Sequence, residues 1–360
     1  MNIAVVGCGL MAESHVKALR SLGYKVVFVI GRNSDRTKAF AKKYNILSWS
    51  LNLEEVLDNF ELDSIHICTP PANHYETIKT ALKNKINVIC EKPFVLDKIE
   101  AKELVELAEK QGVVNAIGFN VRFYESIINA QKSISNGNLG KINLVNGTYK
   151  QEFHVLPAPY SWRYDAVQAG KMRATTEIGS HWIDLMGYLT KKKVEAVSAT
   201  FSSFQPQRKL QDGIMYPASS NELGNIIKVD SEDCAIITFK LEGGALGNVV
   251  LSEVSHGRSN YLNIEVDGSD GAFWWDSETL NHSHYANDIG QGFNTEVLAF
   301  AGGFTDSLAS MLCNIYDVIE KKEPNKSAKY ATFQDGLINI KICNAIYESA
   351  HNKSAWVSIN

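Results

Sequence analysis

At 360 residues the chain exceeds what one hydrophobic core usually serves, so two domains are expected. With 45% hydrophobic and 21% charged residues it reads as an ordinary globular protein, neither disordered nor fibrous. A net charge of -4, with no basic run denser than Lys191-Lys192-Lys193 in a predicted turn, argues against a nucleic-acid binder, because phosphate contacts need clustered Lys and Arg.

Along the first third of the chain, short β-branched runs alternate with helical patterns. The run at 3–7 precedes a helix from about Ala12, that at 25–31 a helix from about Ser34, that at 64–70 a helix from about Asn73, and that at 86–93 a helix from about Leu96; a further run covers 113–120. The alternation predicts an N-terminal Rossmann domain over residues 1–120, α/β in class, with a doubly wound parallel sheet. Residues 121–360 change character and are assigned to a second domain for substrate binding and oligomerisation. After a helix at about 123–135, strands lengthen and alternate at 141–153, 195–204, 231–255 and 260–275, with Glu242-Gly243-Gly244 and the run 267–271 as hairpin turns. An α+β domain with a large, mostly antiparallel open sheet is expected there, closed by helices at about 304–321 and 334–351. A sheet face that needs cover favours a homodimer or homotetramer over a monomer.

The first strand begins at Asn2, which leaves no room for a signal peptide, and no apolar run reaches the roughly 18 residues that span a bilayer. The six cysteines (Cys8, Cys68, Cys90, Cys234, Cys313 and Cys343) are scattered without a C-x-x-C and read as small buried hydrophobes in a reducing compartment. A cytoplasmic protein with no membrane partner is expected.

The stretch V-V-G-C-G-L-M-A-E-S-H at 5–15 carries G-x-G-x-x-A between a strand and a helix, the context that gives this motif meaning. Gly7 makes the sharp turn, Gly9 lets the backbone approach a pyrophosphate, and Ala12 packs helix on strand. The backbone at Leu10 and Met11 opens the helix whose N-terminus faces the phosphates. The tip of the second strand reads Gly31-Arg32-Asn33-Ser34 and lacks the carboxylate that binds an NAD ribose; Arg32 with Asn33 and Ser34 suits a 2′-phosphate, so NADP(H) is preferred and NAD(H) possible.

Two further segments leave strands at the ligand edge of the sheet. Thr69-Pro70-Pro71 follows one strand, with His74 as a polar group near the nicotinamide or else a helix-start residue. Glu91-Lys92-Pro93 follows the next, and Lys92 is oddly placed for a solvated charge; its ammonium can hold a substrate hydroxyl and favour an alkoxide-like transition state. Further on, Glu177, His181 and Asp184 fall at i, i+4 and i+7 and share one face of a predicted helix whose neighbouring stripe is apolar.

The dinucleotide turn, E-K-P at 91–93, G-F-N-V-R-F-Y-E at 118–125 and E-I-G-S-H-W-I-D at 177–184, in that order, resemble the Gfo/Idh/MocA family, the oxidoreductases grouped with glucose–fructose oxidoreductase and inositol dehydrogenase. The resemblance covers essentially the whole chain. It implies a Rossmann domain, a C-terminal domain whose open sheet mediates oligomerisation, a tightly held NAD(P), and hydride transfer to or from a sugar, polyol or related carbonyl. It further implies that His181 is the general acid/base, assisted by the carboxylate at position 177, which is usually Asp and here Glu177. Trp162 and Arg163 resemble a pair found near cofactor or substrate in several members; a loop Trp that plugs a domain junction is the alternative. Asn120 and Arg122 carry the same two readings, substrate contact or structure.

No metal is expected: His282 and His284 form an H-x-H, and Glu177 with His181 could chelate, but further ligands at a recognised spacing are missing. No G-x-S-x-G elbow points to a hydrolase. The loops at 150–175 and 205–230, rich in Gln, Tyr, Ser and Asn, favour a polyhydroxylated substrate. The expected function is an NAD(P)-dependent sugar or polyol oxidoreductase. The alternatives are a non-catalytic dinucleotide-binding sensor of the same fold and an enzyme acting on a non-sugar carbonyl such as a dihydrodiol or a tetrapyrrole like biliverdin.

Overall fold

Short, mostly apolar runs of three to five residues build the first sheet. Its strands are β1 (Ile3–Val6), β2 (Val26–Ile30), β3 (Ser48–Ser50), β4 (Ser64–Ile67), β5 (Asn87–Cys90) and β6 (Asn115–Ile117), all parallel in the order β3-β2-β1-β4-β5-β6. Strands β1 and β4 are buried at every position, as expected where helices cover both faces. The crossovers run through α1 (Leu10–Ser21), α2 (Ser34–Lys43), α3 (Leu53–Asn59), α4 (His74–Lys83) and α5 (Lys98–Gln111). Asn33, Asn52 and Asp97 cap α2, α3 and α5 by accepting from backbone N–H groups of the first turn, and Gly112, at φ 65, ends α5 in the left-handed conformation. The Rossmann order is the expected one; β3 escapes sequence reading because Ser-Trp-Ser is too short and polar to register as a strand. The computed structural model describes residues 1–287, 289–300, 302–321 and 328–359.

By its internal packing the chain forms two units, Met1–Phe123 with Gly303–Ile340, and Tyr124–Gly302 with Lys341–Asn360. The second unit opens with α6 (Glu125–Ser135) and β7 (Ile142–Lys150), then β8 (Ala158–Pro159), the short α7 (Ala166–Ala169), α8 (Ser180–Thr190) and β9 (Val194–Ser202). Strands β10 (Gln207–Gln211), β11 (Ile214–Pro217) and β12 (Asn225–Lys228) join β8 in a four-stranded antiparallel sheet, where the sequence reads only as loop. The large sheet adds β13 (Cys234–Leu241), β14 (Leu246–Ser252), β15 (Tyr261–Gly268), β16 (Ala272–Asp276), β17 (His282–Ala286), β18 (Asn294–Val297) and, at the chain's end, β19 (Val357–Ser358). Its order is β18-β17-β16-β15-β7-β14-β13-β9-β19, antiparallel except for the β14–β7 pair. Helix α8 lies on one face, where Trp182 is fully buried, donates to the carbonyl of Asn263 at 3.0 Å and stacks on Phe239. The opposite face carries Leu144, Ile236 and Leu246, each more than a third exposed. The closing helices are α9 (Phe304–Lys321) and α10 (Phe333–His351). Among the described residues no helix is long and apolar enough to cross a membrane.

Candidate active site

In the first unit the sheet aligns three strand ends. Val6 pairs with Ile67 and Ile67 with Cys90, so the turns at Gly7, Cys68 and Glu91 leave adjacent strands in register, and Gly7 and Glu91 stand about 10 Å apart by strand spacing. Gly7 has φ +112, and a Cβ there would lie 2.7 Å from the Cys68 carbonyl oxygen. Only glycine fits that turn. Gly9 is different: its backbone is extended, and a Cβ would meet nothing within 4 Å. It is the N-cap of α1 and makes no side-chain cap, so the first-turn N–H groups of α1 lack the side-chain acceptor that a Ser, Thr, Asp or Asn cap supplies. Beside them the Thr69 hydroxyl is buried with no hydrogen-bond partner among the described residues. Bare glycine, uncapped helix donors and an unsatisfied hydroxyl fit a dinucleotide pyrophosphate.

The neighbouring residues divide into exposed and committed groups. Arg32, Asn33 and Ser34 are exposed at the end of β2, although the Asn33 Oδ1 already accepts from the Arg36 backbone N–H as the α2 cap. Pro70 and Pro71 form a short 3₁₀ turn leading into α4. His74, expected near the cofactor ring, is fully buried; its Nδ1 lies 2.8 Å from the Phe94 carbonyl and its Nε2 2.8 Å from that of Thr69. The ring is thus enclosed between two strand-end turns, donating to one of these carbonyls, and burial holds this imidazole below its ordinary range. Lys92 is half-buried in the next turn, and the Lys92–Pro93 peptide is cis. Glu91 points inward instead, its carboxylate 2.9 Å from the His15 Nε2.

Asn120 and Arg122 also have structural partners within this unit. The Asn120 amide donates to the Ser307 hydroxyl at 2.8 Å, and Arg122 pairs with Asp335 at 3.0 Å. These bonds tie the chain after β6 to α9 and to the start of α10.

In the second unit, Glu177 does not lie on a regular α-helix. Thr175–Gly179 forms one turn of π-helix, a geometry frequent at functional sites, and leads into α8, which carries His181 and Asp184. The wider turn changes the spacing that a 3.6-residue period assumes between 177 and 181. The Glu177 carboxylate accepts from the Arg163 Nε at 2.8 Å, and the Arg163 guanidinium lies over the Trp162 ring at 4.6 Å. Trp162, Arg163 and Glu177 therefore form one cluster. His181 is half-buried with its ring 6.4 Å from that of Tyr149, while Asp184 is buried. Tyr149 and Gln151 converge from β7 on one acceptor, the Asn260 Oδ1, at 2.9 and 2.6 Å.

Beneath this cluster lies a buried ionic group that sequence reading missed. Arg173, wholly buried, donates to Glu253 at 2.8 Å and pairs with Asp233, which also binds Arg208 at 2.8 Å. Glu232 accepts from the backbone N–H groups of Arg173 and Thr175 at 3.0 and 2.8 Å, which pins the start of the π turn. Burial raises the Glu253 carboxyl to about 8 even with Arg173 opposing. Burial, with Arg173 and Arg163 adding to it, lowers His154 to about 3. His154 accepts or donates at Tyr164, whose ring carries the Arg173 guanidinium at 4.7 Å. The only trace of this group in the sequence is the acidic pair Glu232-Asp233 placed directly before an apolar strand. His282 and His284 sit on β17 against Asn281 and Thr295, and among the described residues no group of three His, Cys, Asp or Glu is placed to hold a metal.

Both units match known domains. Residues 1–119 match an oxidoreductase family model with an NAD-binding Rossmann fold, and residues 127–274 match the GFO/IDH/MocA C-terminal domain. The chain is 26% identical over 391 residues to levoglucosan dehydrogenase of Pseudarthrobacter phenanthrenivorans, covering 100% of this chain and 98% of that one. It is 30% identical over 269 residues to glucose-6-phosphate 3-dehydrogenase of Bacillus subtilis, covering 74% and 72%. A solved levoglucosan dehydrogenase in complex with NADH and L-sorbose superposes with a TM-score of 0.90 at 24% identity, over 100% of this chain and 99% of that one. With its N-terminal and C-terminal parts each matched to the corresponding family domain, the chain belongs to the Gfo/Idh/MocA family of oxidoreductases.

Proposed function

We propose that the protein is a dehydrogenase or reductase of a sugar or polyol, with NADP(H) as the preferred dinucleotide and NAD(H) as an alternative. The observation that carries this reading is the pairing, on one sheet edge, of an uncapped glycine turn with a lysine two strands away. Gly7, Gly9 and the first-turn N–H groups of α1 hold the pyrophosphate, and Thr69 with Pro70 and Pro71 lines the next strand end. Arg32, exposed where a ribose-binding carboxylate is absent, pairs with the 2′-phosphate, and the outward side of Asn33 and Ser34 adds donors. The bound nicotinamide supplies the hydride chemistry. Lys92 donates to the substrate oxygen and stabilises the negative charge that builds on it, while His181 takes the hydroxyl proton during oxidation and returns it during reduction.

Arg163, stacked on Trp162 and held by Glu177, presents its remaining N–H groups to sugar hydroxyls. Glu177 thereby acts on the substrate through Arg163, and Asp184 supports His181 from the following turn. The relatives named for levoglucosan and glucose 6-phosphate support a carbohydrate substrate. The apolar outward patch of Leu144, Ile236 and Leu246 on the large sheet supports a homodimer or homotetramer through that face. No disulfide links the six cysteines, in keeping with a cytoplasmic location. The test is cofactor reduction by purified protein against a panel of sugars, anhydrosugars, inositols and sugar phosphates with NADP⁺ and NAD⁺. Turnover with at least one polyol is expected; turnover only with non-sugar alcohols would overturn the substrate class, and none at all with a tightly binding cofactor would favour a sensor.

A further inference from the structure

Behind the strand ends of the first unit, five buried side chains form one continuous hydrogen-bonded chain that the reaction itself does not use. Glu91 at the end of β5 meets the His15 Nε2 of α1 at 2.9 Å. The His15 Nδ1 meets the His66 Nδ1 of β4 at 2.7 Å, the His66 Nε2 meets the Tyr316 hydroxyl of α9 at 2.8 Å, and that hydroxyl meets Ser64 at 2.7 Å. His15, His66, Ser64 and Tyr316 are 0% exposed and Glu91 5%.

Counting hydrogens fixes the direction of the chain. An ionised carboxylate only accepts, so the His15 Nε2 donates to Glu91. A neutral His15 then offers Nδ1 as an acceptor, and the His66 Nδ1 must donate to it. That leaves the His66 Nε2 to accept from Tyr316, and the phenol oxygen to accept from Ser64. Four neutral donors fill the four links, each pointing toward Glu91. Two neutral histidines meeting Nδ1 to Nδ1 need opposite tautomers, and this polarity supplies them. Aligned links of this kind strengthen one another in a medium of low dielectric.

Glu91 is held on its other sides as well. A Cβ on Gly118 would lie 2.6 Å from the Glu91 Oε1, so the glycine leaves room for the carboxylate. The Glu91 N–H donates to the Ile67 carbonyl at 2.9 Å, and the Gly118 N–H to that of Cys90 at 2.8 Å. Lys92 is the next residue.

We propose that the Ser64–Tyr316–His66–His15 chain is a polarised positioning device that holds the Glu91 carboxylate fixed, and through Glu91 sets the turn that presents Lys92. The inference rests on the reading of Lys92 as the group that holds the substrate oxygen. A proton added at the His66 Nε2 reverses the two links to Tyr316 and Ser64 and breaks the single polarity of the chain, so the acid limb of the rate profile belongs partly to this chain. The titratable and charged groups around it are Glu91, Cys68, Cys90 and His74 at the strand ends, and Tyr316, Tyr24, Glu320 and Asp63 at the other end. Burial, with His15 adding to it, holds His66 well below the ordinary histidine range, in keeping with a neutral His66 ring.

Two measurements on the full chain test this. Imidazole ¹⁵N spectra of histidine-labelled protein at neutral pH should show two neutral rings, His15 protonated at Nε2 and His66 at Nδ1. The same tautomer on both rings, or an imidazolium, overturns the polarity. Tyr316→Phe should then lower kcat about ten-fold while moving KM for sugar and cofactor less than about two-fold, and should raise the pH at which the acid limb falls. If that variant does not fold, Ser64→Ala is measured in its place, with a fall of about three-fold expected. Lys92→Met separates the two readings. If it abolishes turnover and Tyr316→Phe or Ser64→Ala leaves kcat and the pH profile unchanged, the positioning role is overturned alone. If Lys92→Met turns over normally, the assignment of Lys92 falls, and the positioning role with it.

Discussion

Gly7 and Gly9 lie two residues apart in one turn, yet substitution by alanine should have opposite consequences. At Gly9 the backbone angles, φ -97 and ψ -171, are open to any residue, and a Cβ meets nothing within 4 Å. Gly9→Ala should therefore leave the fold intact and stabilise it by about 0.4–1 kcal/mol, because the unfolded chain loses freedom. Its methyl group, however, fills the space proposed for the pyrophosphate, and affinity for NADPH should fall at least about ten-fold, roughly 1.4 kcal/mol. At Gly7 a side chain meets both φ +112 and the Cys68 oxygen at 2.7 Å, so Gly7→Ala should cost about 1–3 kcal/mol of stability. Urea denaturation of the two variants, paired with fluorescence titration of NADPH, reads both quantities. Undiminished NADPH affinity in Gly9→Ala would refute the pyrophosphate's place, and wild-type stability in Gly7→Ala would refute the close approach to Cys68.

Further outcomes follow from the same geometry. Arg32→Ala should weaken NADPH at least about ten-fold in a titration while NADH changes less than about two-fold, and equal losses would remove the 2′-phosphate contact. Arg173→Met removes the donor that Asp233 and Glu253 share, while Asp233 keeps Arg208, and should lower stability by about 1–3 kcal/mol in denaturant; unchanged stability would contradict a structural role for Arg173. Glu253, raised by burial from an ordinary 4.5 to about 8, holds in the native state a proton that the unfolded chain releases, so its contribution is full below pH 4.5 and is lost as pH rises through 8. His154, lowered from 6.5 to about 3, contributes above pH 6.5 and loses that contribution as pH falls, so the two oppose one another between 4.5 and 6.5. Comparing wild type with Glu253→Gln from pH 6.5 to 8 isolates the carboxyl: the wild type should lose stability relative to the variant, and a constant difference would contradict the raised value.

The parts of the fold that the sequence makes legible are those with a strong local period. The apolar runs of β1, β2, β4 and β5, the glycine turn between β1 and α1, and the hairpin at Glu242–Gly244 all carry their own signals. The small sheet of β8, β10, β11 and β12 does not, because Gln-Arg-Lys-Leu-Gln and Ala-Pro have neither alternation nor β-branched content and take their strand form by pairing with the four-residue β11. Nor does any pattern signal that Gly303–Ile340 packs with the N-terminal residues. Among candidate site residues, Gly9 and Arg32 face open space or solvent, whereas His74, Asn120 and Arg122 have protein partners that no local pattern shows. His15 and His66 lay hidden for the complementary reason: each sits in an apolar stripe, and only tertiary structure shows that they touch.

The roles proposed for Lys92 and His181 in hydride transfer are tested most directly by single-turnover transfer to bound NADP⁺. With a polyol found by the substrate panel, Lys92→Met should slow transfer about 100- to 1,000-fold, while His181→Asn slows it by at least about 100-fold and loses the acid limb of the pH profile, both variants binding NADPH as the wild type does. Transfer at the wild-type rate in either variant, with its cofactor fully bound, would contradict the account.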